Sequence, residues 1–249
     1  MRGDWFLRQL RLGLRELLLP QCCPACGGVS AEVLELCAGC ADELERVSEA
    51  VRCRHCTAVL ESGEACGDCL RFLGSLDRIQ SVFAYRGTGG ALVRRLKLSK
   101  DPAALGYLGR RLARAFLPKD REYRKFQIVP VPLGRKRRRS RGFNQAAELG
   151  RFLSLRLGIP LREQALRRHK ETLPQGSPDV VDRTENLREA FGVGRHSRFL
   201  RGARILLIDD VVTSGATLRA CAEVLREQAG VTSVEAITAC SARRRLSPS

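Results

Sequence analysis

Apolar and polar positions alternate differently in different parts of this 249-residue chain. From residue 77 onward, short apolar runs take turns with longer stretches in which apolar residues recur every three or four positions. IQSVFAY (79–85), QIVPVP (127–132), ILLI (205–208) and VEAITAC (234–240) read as strands, the third apolar enough to be buried on both faces. ALGYLGRRLARAFL (104–117), FNQAAELGRFLSLRLG (143–158) and TLRACAEVLREQAG (217–230) carry the helical period. In the last of them Leu218, Cys221, Ala222 and Leu225 fall at i, i+3, i+4 and i+7. This alternation predicts an α/β domain over 77–243, a mostly parallel sheet with flanking helices, whose ligands bind in loops at the carboxyl ends of the strands. Cys221 and Cys240 lie on predicted core faces as small hydrophobes.

The chain before residue 77 lacks this pattern. MRGDWFLRQLRLGLRELLLP has helical spacing broken by Asp4, Arg8, Arg11, Arg15 and Glu16. It predicts an amphipathic helix over 1–21, packed on its own protein or facing a partner or membrane surface, and makes a poor secretory signal. No stretch reaches the roughly 18 apolar residues of a membrane span. A cytoplasmic location is therefore expected, and the cysteines are read in a reducing compartment.

Nine of the eleven cysteines fall between Cys22 and Cys69, in a segment (22–72) with little apolar mass. Eight form four CxxC pairs: Cys23/Cys26, Cys37/Cys40, Cys53/Cys56 and Cys66/Cys69. Two intervening residues let both thiolates turn toward one tetrahedral centre, and two such knuckles complete a zinc site. The segment thus reads as two zinc ribbons in tandem, each holding a structural Zn2+. Disulfides or a redox dithiol are the competing readings; a reducing compartment and four regular pairs argue against both. Cys22 is a spare beside Cys23, and His55 sits inside a knuckle whose site the cysteines already fill. A linker is expected near Arg71 to Asp77.

Charge separates the two parts further. The formal net charge is +17, yet residues 1–75 carry 8 Lys/Arg against 11 Asp/Glu, leaving +20 on residues 76–249. Such a field favours polyanionic partners. RKRRRSR (135–141) places six bases in seven residues directly after a strand. It reads as a loop that grips phosphate, against the plainer reading of a solvated charge run. One Trp and three Tyr are a thin supply of stacking platforms for nucleic acid.

ILLIDDVVTSGATL (205–218) concentrates the chemistry: a buried strand ends in two carboxylates, and a small, hydroxyl-rich turn leads into a helix. A Walker B strand would need a GxxxxGK[ST] loop, which is absent. A receiver domain would need more than the 39 residues that follow Asp210. The remaining user sets the acids against ribose hydroxyls and wraps the turn around a 5′-phosphate with backbone N–H groups and a helix N-terminus.

LLIDDVVTSGATL resembles the PRPP-binding signature of type I phosphoribosyltransferases. VPVPLGRKRRRSRGFNQA (129–146) and TLPQGSPDVVDRTENLREAF (172–191), following four CxxC knuckles, resemble the ComF/GntX family, a double zinc ribbon joined to such a domain. The last segment is similar to that family's mobile segment, with Thr172, Gln175, Arg183, Asn186 and Ala190-Phe191 in the matching places. Two departures stand out: Arg138 and Ser140 replace the usual Leu and Glu, and Gly176 to Asp182 replaces the usual Leu-Ser-Arg-Ala-Glu pattern. The resemblance implies that Thr213, Ser214, Gly215, Ala216 and Thr217 cradle the 5′-phosphate. It implies too that Asp209 and Asp210 hold the ribose hydroxyls, one of them through Mg2+. Arg135, Lys136, Arg137 and Arg141 lie where pyrophosphate would sit, and Lys97 matches a family lysine that reaches the same ligand. His169 and His196 are lone histidines without a catalytic partner. The family's expected function is PRPP–Mg2+ binding and phosphoribosyl transfer to an unidentified acceptor, linked to DNA uptake in natural competence. The alternative is a non-catalytic protein on the same scaffold that senses nucleotides or handles single-stranded DNA, with DNA-uptake or recombination proteins as partners.

Overall fold

Four parallel strands form the centre of the protein, in the order Arg78–Ala84, Ser233–Ser241, Arg204–Val212 and Phe126–Pro130. The structure, a computed structural model, describes residues 22–48, 53, 55–58, 60, 66, 69–116, 125–169 and 188–243. The elements follow in chain order. Helices α1 (Ala38–Ser48) and α2 (Cys69–Leu73) belong to the cysteine-rich part. Then come β1 (Arg78–Ala84), α3 (Gly87–Ser99), α4 (Pro102–Phe116), β2 (Phe126–Pro130), α5 (Arg135–Arg141) and α6 (Gln145–Leu157). A two-stranded antiparallel sheet of β3 (Leu166–Arg168) and β4 (Phe191–Val193) precedes β5 (Arg204–Val212), α7 (Ala216–Ala229) and β6 (Ser233–Ser241).

β5 lies inside the sheet, so its side chains are covered on both faces, as its unbroken apolar run predicts. Ile205 and Leu207 join a core with Leu218, Cys221 and Leu225 of α7. Leu206 and Ile208 join a second core with Leu96 of α3, Leu108 of α4 and Leu153 of α6. Cys221 and Cys240 are fully buried in these cores, on the faces the helical and strand periods assign them. The cysteine-rich segment divides between the same two layers. Cys23 and Leu44 sit in the α3/α4 core, whereas Cys53, Cys56, Phe72 and Leu76 sit in the α7 core.

Several expectations are corrected. The linker near Arg71 to Asp77 is packed structure. Phe72, Leu73 and Leu76 are buried, and the Asp77 carboxylate accepts from Arg226 at 2.8 Å and from the Val234 N–H at 2.7 Å. The basic run after β2 is the short helix α5, not a loop. Arginine and lysine are good helix formers, and Gly142 ends the turn with φ +75°, donating its N–H to the Arg138 carbonyl. The strand read over 205–208 continues to Val212, which puts both acids on the strand itself. The β3–β4 sheet carries no sequence signal, since three-residue strands are too short to show alternation. The helix expected over 1–21 and the positions Thr172, Gln175, Arg183 and Asn186 fall outside the described residues.

Candidate functional site

Parallel pairing brings the carboxyl ends of β2, β5 and β6 to one edge of the sheet, and β5 delivers its acids there. Asp209 pairs in register with Thr238 of β6. Because strand residues alternate, the two acids face opposite layers. Asp210 turns to the α3 side, where Lys97 in the last turn of α3 holds its Oδ1 at 3.2 Å. Asp209 turns to the α7 side, where burial and then its charge push the Cys221 thiol up. Burial, and after it the Asp210 charge, raise Asp209 to about 8. The Asp210 N–H, which donates to Asp209 Oδ1 at 2.8 Å, and the charges of Lys97 and Arg137 work in the opposite direction. At neutral pH Asp209 is therefore held largely protonated, and a nearby cation would favour its ionised form.

The hydroxyl-rich turn follows at once. Thr213 and Ser214 are exposed, Gly215 is buried, and Ala216 and Thr217 open α7. Gly215 has φ +73°, which aligns the turn with the helix N-terminus and which a residue with a Cβ adopts poorly. Among the described residues, the amides of Thr213, Ser214 and Gly215 donate to no protein acceptor. Three such N–H groups beside the positive end of a 14-residue helix are an arrangement able to cradle an anion.

Helix α5 borders this edge from the end of β2. Arg137 is near enough to the acids to favour ionised Asp209, whereas Arg135 and Arg138 line a cavity of about 660 Å3 on the other side. Arg141 donates to Gln145 Oε1 at 3.2 Å, and Lys136 is exposed on the same helix. The structure thus brings Asp209, Asp210, Lys97 and Arg137 together beside the turn and aims Arg135 elsewhere. The cavity is also lined by Phe143 and Asn144 at the start of α6 and by Arg167 and Arg168 of β3. Its acids are already engaged: Glu148 with Lys100 and Arg151, Glu163 with Arg151. Arg167 and Arg168 escape a reading of the sequence because no motif contains the β3 residues, whereas Phe143 lies within the 129–146 motif but carries no assigned role there. Gln145, buried at the head of α6 with an unpartnered Nε2, is likewise invisible until its burial is known. His169 Nε2 accepts from Arg167, and His196 Nδ1 accepts from the Gln164 N–H, so neither faces the acids in these contacts.

The eight knuckle cysteines gather in two groups, Cys23/Cys26/Cys37/Cys40 and Cys53/Cys56/Cys66/Cys69, with the sulfurs of each within 4.8 Å of one another. A tetrahedral zinc with bonds of about 2.3 Å sets its sulfurs about 3.8 Å apart. Cys26–Cys37 and Cys56–Cys69 both measure 3.8 Å, and Cys56–Cys66 is 3.4 Å. The donor sets fit structural zinc. Burial opposes ionisation of Cys23 and Cys53, but hydrogen bonds from surrounding backbone N–H groups and neighbouring thiols outweigh it and bring both to about 6, whereas burial and the neighbouring thiols push Cys40 and Cys69 up. Cys22 belongs to neither group; it bridges to Val29 through the backbone. His55 contributes its carbonyl, which accepts from the Ile79 N–H, and is in neither group.

A parallel sheet ending in paired acids and an anion-cradling turn, with two four-cysteine clusters packed on it, defines a zinc-ribbon protein with a phosphoribosyltransferase-type domain. Sequence comparison agrees: residues 14–70 match the Double zinc ribbon domain family and residues 144–249 the Phosphoribosyl transferase domain family. The chain belongs to the ComF family. It is 30% identical to Competence protein F of Haemophilus influenzae over 200 residues, covering 77% of this chain and 84% of that protein. It is 31% identical to the DNA utilization protein YhgH of Salmonella typhimurium, covering 67% and 74%. It is also 26% identical to Competence protein ComFC of Bacillus subtilis, covering 82% and 83%. A solved adenine phosphoribosyltransferase from Thermoanaerobacter pseudethanolicus is 22% identical over 57% of this chain and 82% of that one, with a TM-score of 0.35. A score that low leaves the fold to rest on the sheet topology and the family matches. Among the described residues no helix is long and apolar enough to cross a membrane.

Proposed function

We propose that the edge of β5 binds PRPP with Mg2+ and that the protein transfers its phosphoribosyl group in a cytoplasmic step linked to DNA uptake. The observation that carries this reading is the conjunction of unpaired amides at Thr213–Gly215 with two acids a few residues before them and with Lys97, which reaches Asp210 at 3.2 Å. The cradle, completed by Ala216 and the Thr217 hydroxyl, takes the 5′-phosphate; Asp209 and Asp210 take the ribose hydroxyls. Magnesium is usually held by one or two carboxylates plus substrate phosphates, which fits this pair, and when bound it neutralises pyrophosphate charge. Lys97 and Arg137, with Lys136 and Arg141 on the same short helix as Arg137, supply positive charge where pyrophosphate leaves. In the reaction the C1–O bond to pyrophosphate breaks, a bond from C1 to the acceptor amine or base forms, and the acceptor gives up a proton. Positioning and stabilisation of the leaving group supply most of the catalysis. The cavity beyond α5 is the acceptor's place, with Phe143 as an apolar wall.

This reading divides the chain into an N-terminal helix (1–21), a double zinc ribbon (22–72) and the transferase domain (77–243). The names of the competence and DNA-utilization relatives support the biological setting. A second reading, a scaffold that handles single-stranded DNA, is favoured by the +20 on residues 76–249 and by exposed Arg135 and Arg138 at the cavity. Calorimetric titration of zinc-loaded protein with PRPP and Mg2+, with and without a short single-stranded DNA, separates the two. Saturable PRPP binding that is lost in Asp209→Asn/Asp210→Asn supports the first. Tight DNA binding with no PRPP heat would replace it with the second.

A further inference from the structure

The second ribbon touches the phosphate turn directly, through one aromatic ring. Phe72 stands three residues after Cys69 in α2, and its ring lies against Gly215: a Cβ on that glycine would come within 3.0 Å of Phe72 Cε2 and Cζ. Arg219, in the first turn of α7, bridges the two segments. Its Nη1 donates to the Phe72 carbonyl at 2.9 Å and to the Ser214 carbonyl at 3.0 Å. On the other side the Arg243 guanidinium stacks 3.4 Å from the centre of the Phe72 ring and donates to Cys56 Sγ at 3.0 Å. A chain of contacts therefore runs from the Cys56 sulfur through Arg243 and Phe72 to Gly215 and Ser214.

From this arrangement we infer that Phe72 is a positioning residue for the phosphate turn, and that Arg219 and Arg243 lock its ring in place. The inference rests on the phosphate-binding reading given above. The physical reason is conformational. Gly215 is the one residue of the turn free to take either sign of φ cheaply, and so the one that would let the unbound turn collapse. Phe72 fills the space into which it would move, while Arg219 fixes the neighbouring carbonyl. With Ser214 O held away from the cradle, the Thr213 to Gly215 amides stay aimed at one point before any ligand arrives. A ligand that meets a pre-set turn pays no ordering cost; one that meets a turn competent for a tenth of the time binds about tenfold more weakly. The ribbon's task is then to tune affinity at the far end of a chain of contacts, beyond folding its own segment.

The test uses full-length, zinc-loaded protein with ribose 5-phosphate as the probe, which needs the cradle and not the pyrophosphate side. Phe72→Ala is expected to weaken ribose 5-phosphate binding about tenfold, to retain two zinc ions per chain by metal analysis, and to speed amide exchange over 213–219. Phe72→Leu, which keeps apolar fill without the ring stack, recovers part of the affinity. Glu43→Ala, on the first ribbon, controls for general destabilisation and leaves the affinity unchanged. If Phe72→Ala does not fold, Arg243→Ala removes the stack from the opposite side and is read in the same way. Affinity within twofold of wild type and unchanged exchange, in a variant that keeps its zinc, would overturn the inference. Absence of ribose 5-phosphate binding by wild type would instead count against the phosphate site, and exchange over 213–219 in Phe72→Ala would still decide whether the ring holds the turn.

Discussion

The two zinc ribbons share a sequence pattern but brace different parts of the molecule. The first grips helices. Glu43 of α1 accepts from the Thr88 N–H at 3.0 Å and from the Thr88 hydroxyl at 2.5 Å, which caps the start of α3. Arg110 of α4 donates to the Leu34 carbonyl and pairs with Glu35. Lys97, the site residue on α3, lies nine residues beyond Thr88, about 13 Å along the helix. The second ribbon instead meets the ligand turn itself, through Phe72 and Gly215. Two modules built by the same metal chemistry thus have different reach: one stabilises an element that carries a site residue at its far end, the other shapes the site.

Breaking both ribbons at once gives the largest effect. Binding of a structural zinc is worth about 10–16 kcal/mol in small zinc modules. Chelation should therefore release about two zinc ions per chain and expose the 22–70 segment to protease, with metal release and digestion pattern as the readouts. Breaking only the turn comes next. Gly215→Ala forces a Cβ onto a residue at φ +73° and against the Phe72 ring, for about 1–3 kcal/mol in thermal or denaturant unfolding, with loss of ribose 5-phosphate binding. Breaking the first ribbon's grip alone is milder. Glu43→Ala removes both bonds to Thr88 and should cost about 1–2 kcal/mol by denaturant titration, with ligand affinity retained.

A pH dependence, by contrast, belongs to the site and not to the ribbons. Asp209 is raised to about 8 in the folded protein, from an ordinary unfolded carboxylate value near 4. Its contribution to stability is complete below about pH 4 and is lost as pH rises through about 8. Under the proposed function ligand binding runs the other way, because the ionised acid would be the form that holds ribose and magnesium. Affinity for PRPP with Mg2+ should increase about fivefold between pH 7 and pH 8. Asp209→Asn should flatten that profile, whereas Glu43→Ala should leave its shape intact. Calorimetric titrations at the two pH values check both.

The sheet and the acids were legible because each carries a strong local signal. Ile205 to Ile208 is apolar without interruption since β5 is covered on both faces, and Asp209-Asp210 interrupts it near the carboxyl end of the strand. The cysteine pairs were legible for the same reason, since zinc chemistry demands fixed spacing. Contacts between distant segments left no such trace. Nothing near Phe72 in sequence points to Gly215, and the residues from 71 to 77 looked like a linker because their apolar members are too few to show a period. Arg135 to Arg141 misled in a different way. A run of like charges directly after a strand reads as a loop, yet helix propensity and the Gly142 cap prevail, and the helix then sorts Arg137 toward the acids and Arg135 and Arg138 toward the cavity. Which way each arginine faces depends on that turn and could not be read in advance.

Removing one zinc cluster at a time tests the difference between the ribbons most directly. Cys23→Ser/Cys26→Ser and Cys53→Ser/Cys56→Ser would each be purified, analysed for zinc and titrated with ribose 5-phosphate. Each variant is predicted to keep one zinc ion. The first is predicted to bind ribose 5-phosphate within about twofold of wild type, and the second to bind it about tenfold more weakly or not at all. Equal losses in both variants, or undiminished binding in the second, would contradict the account.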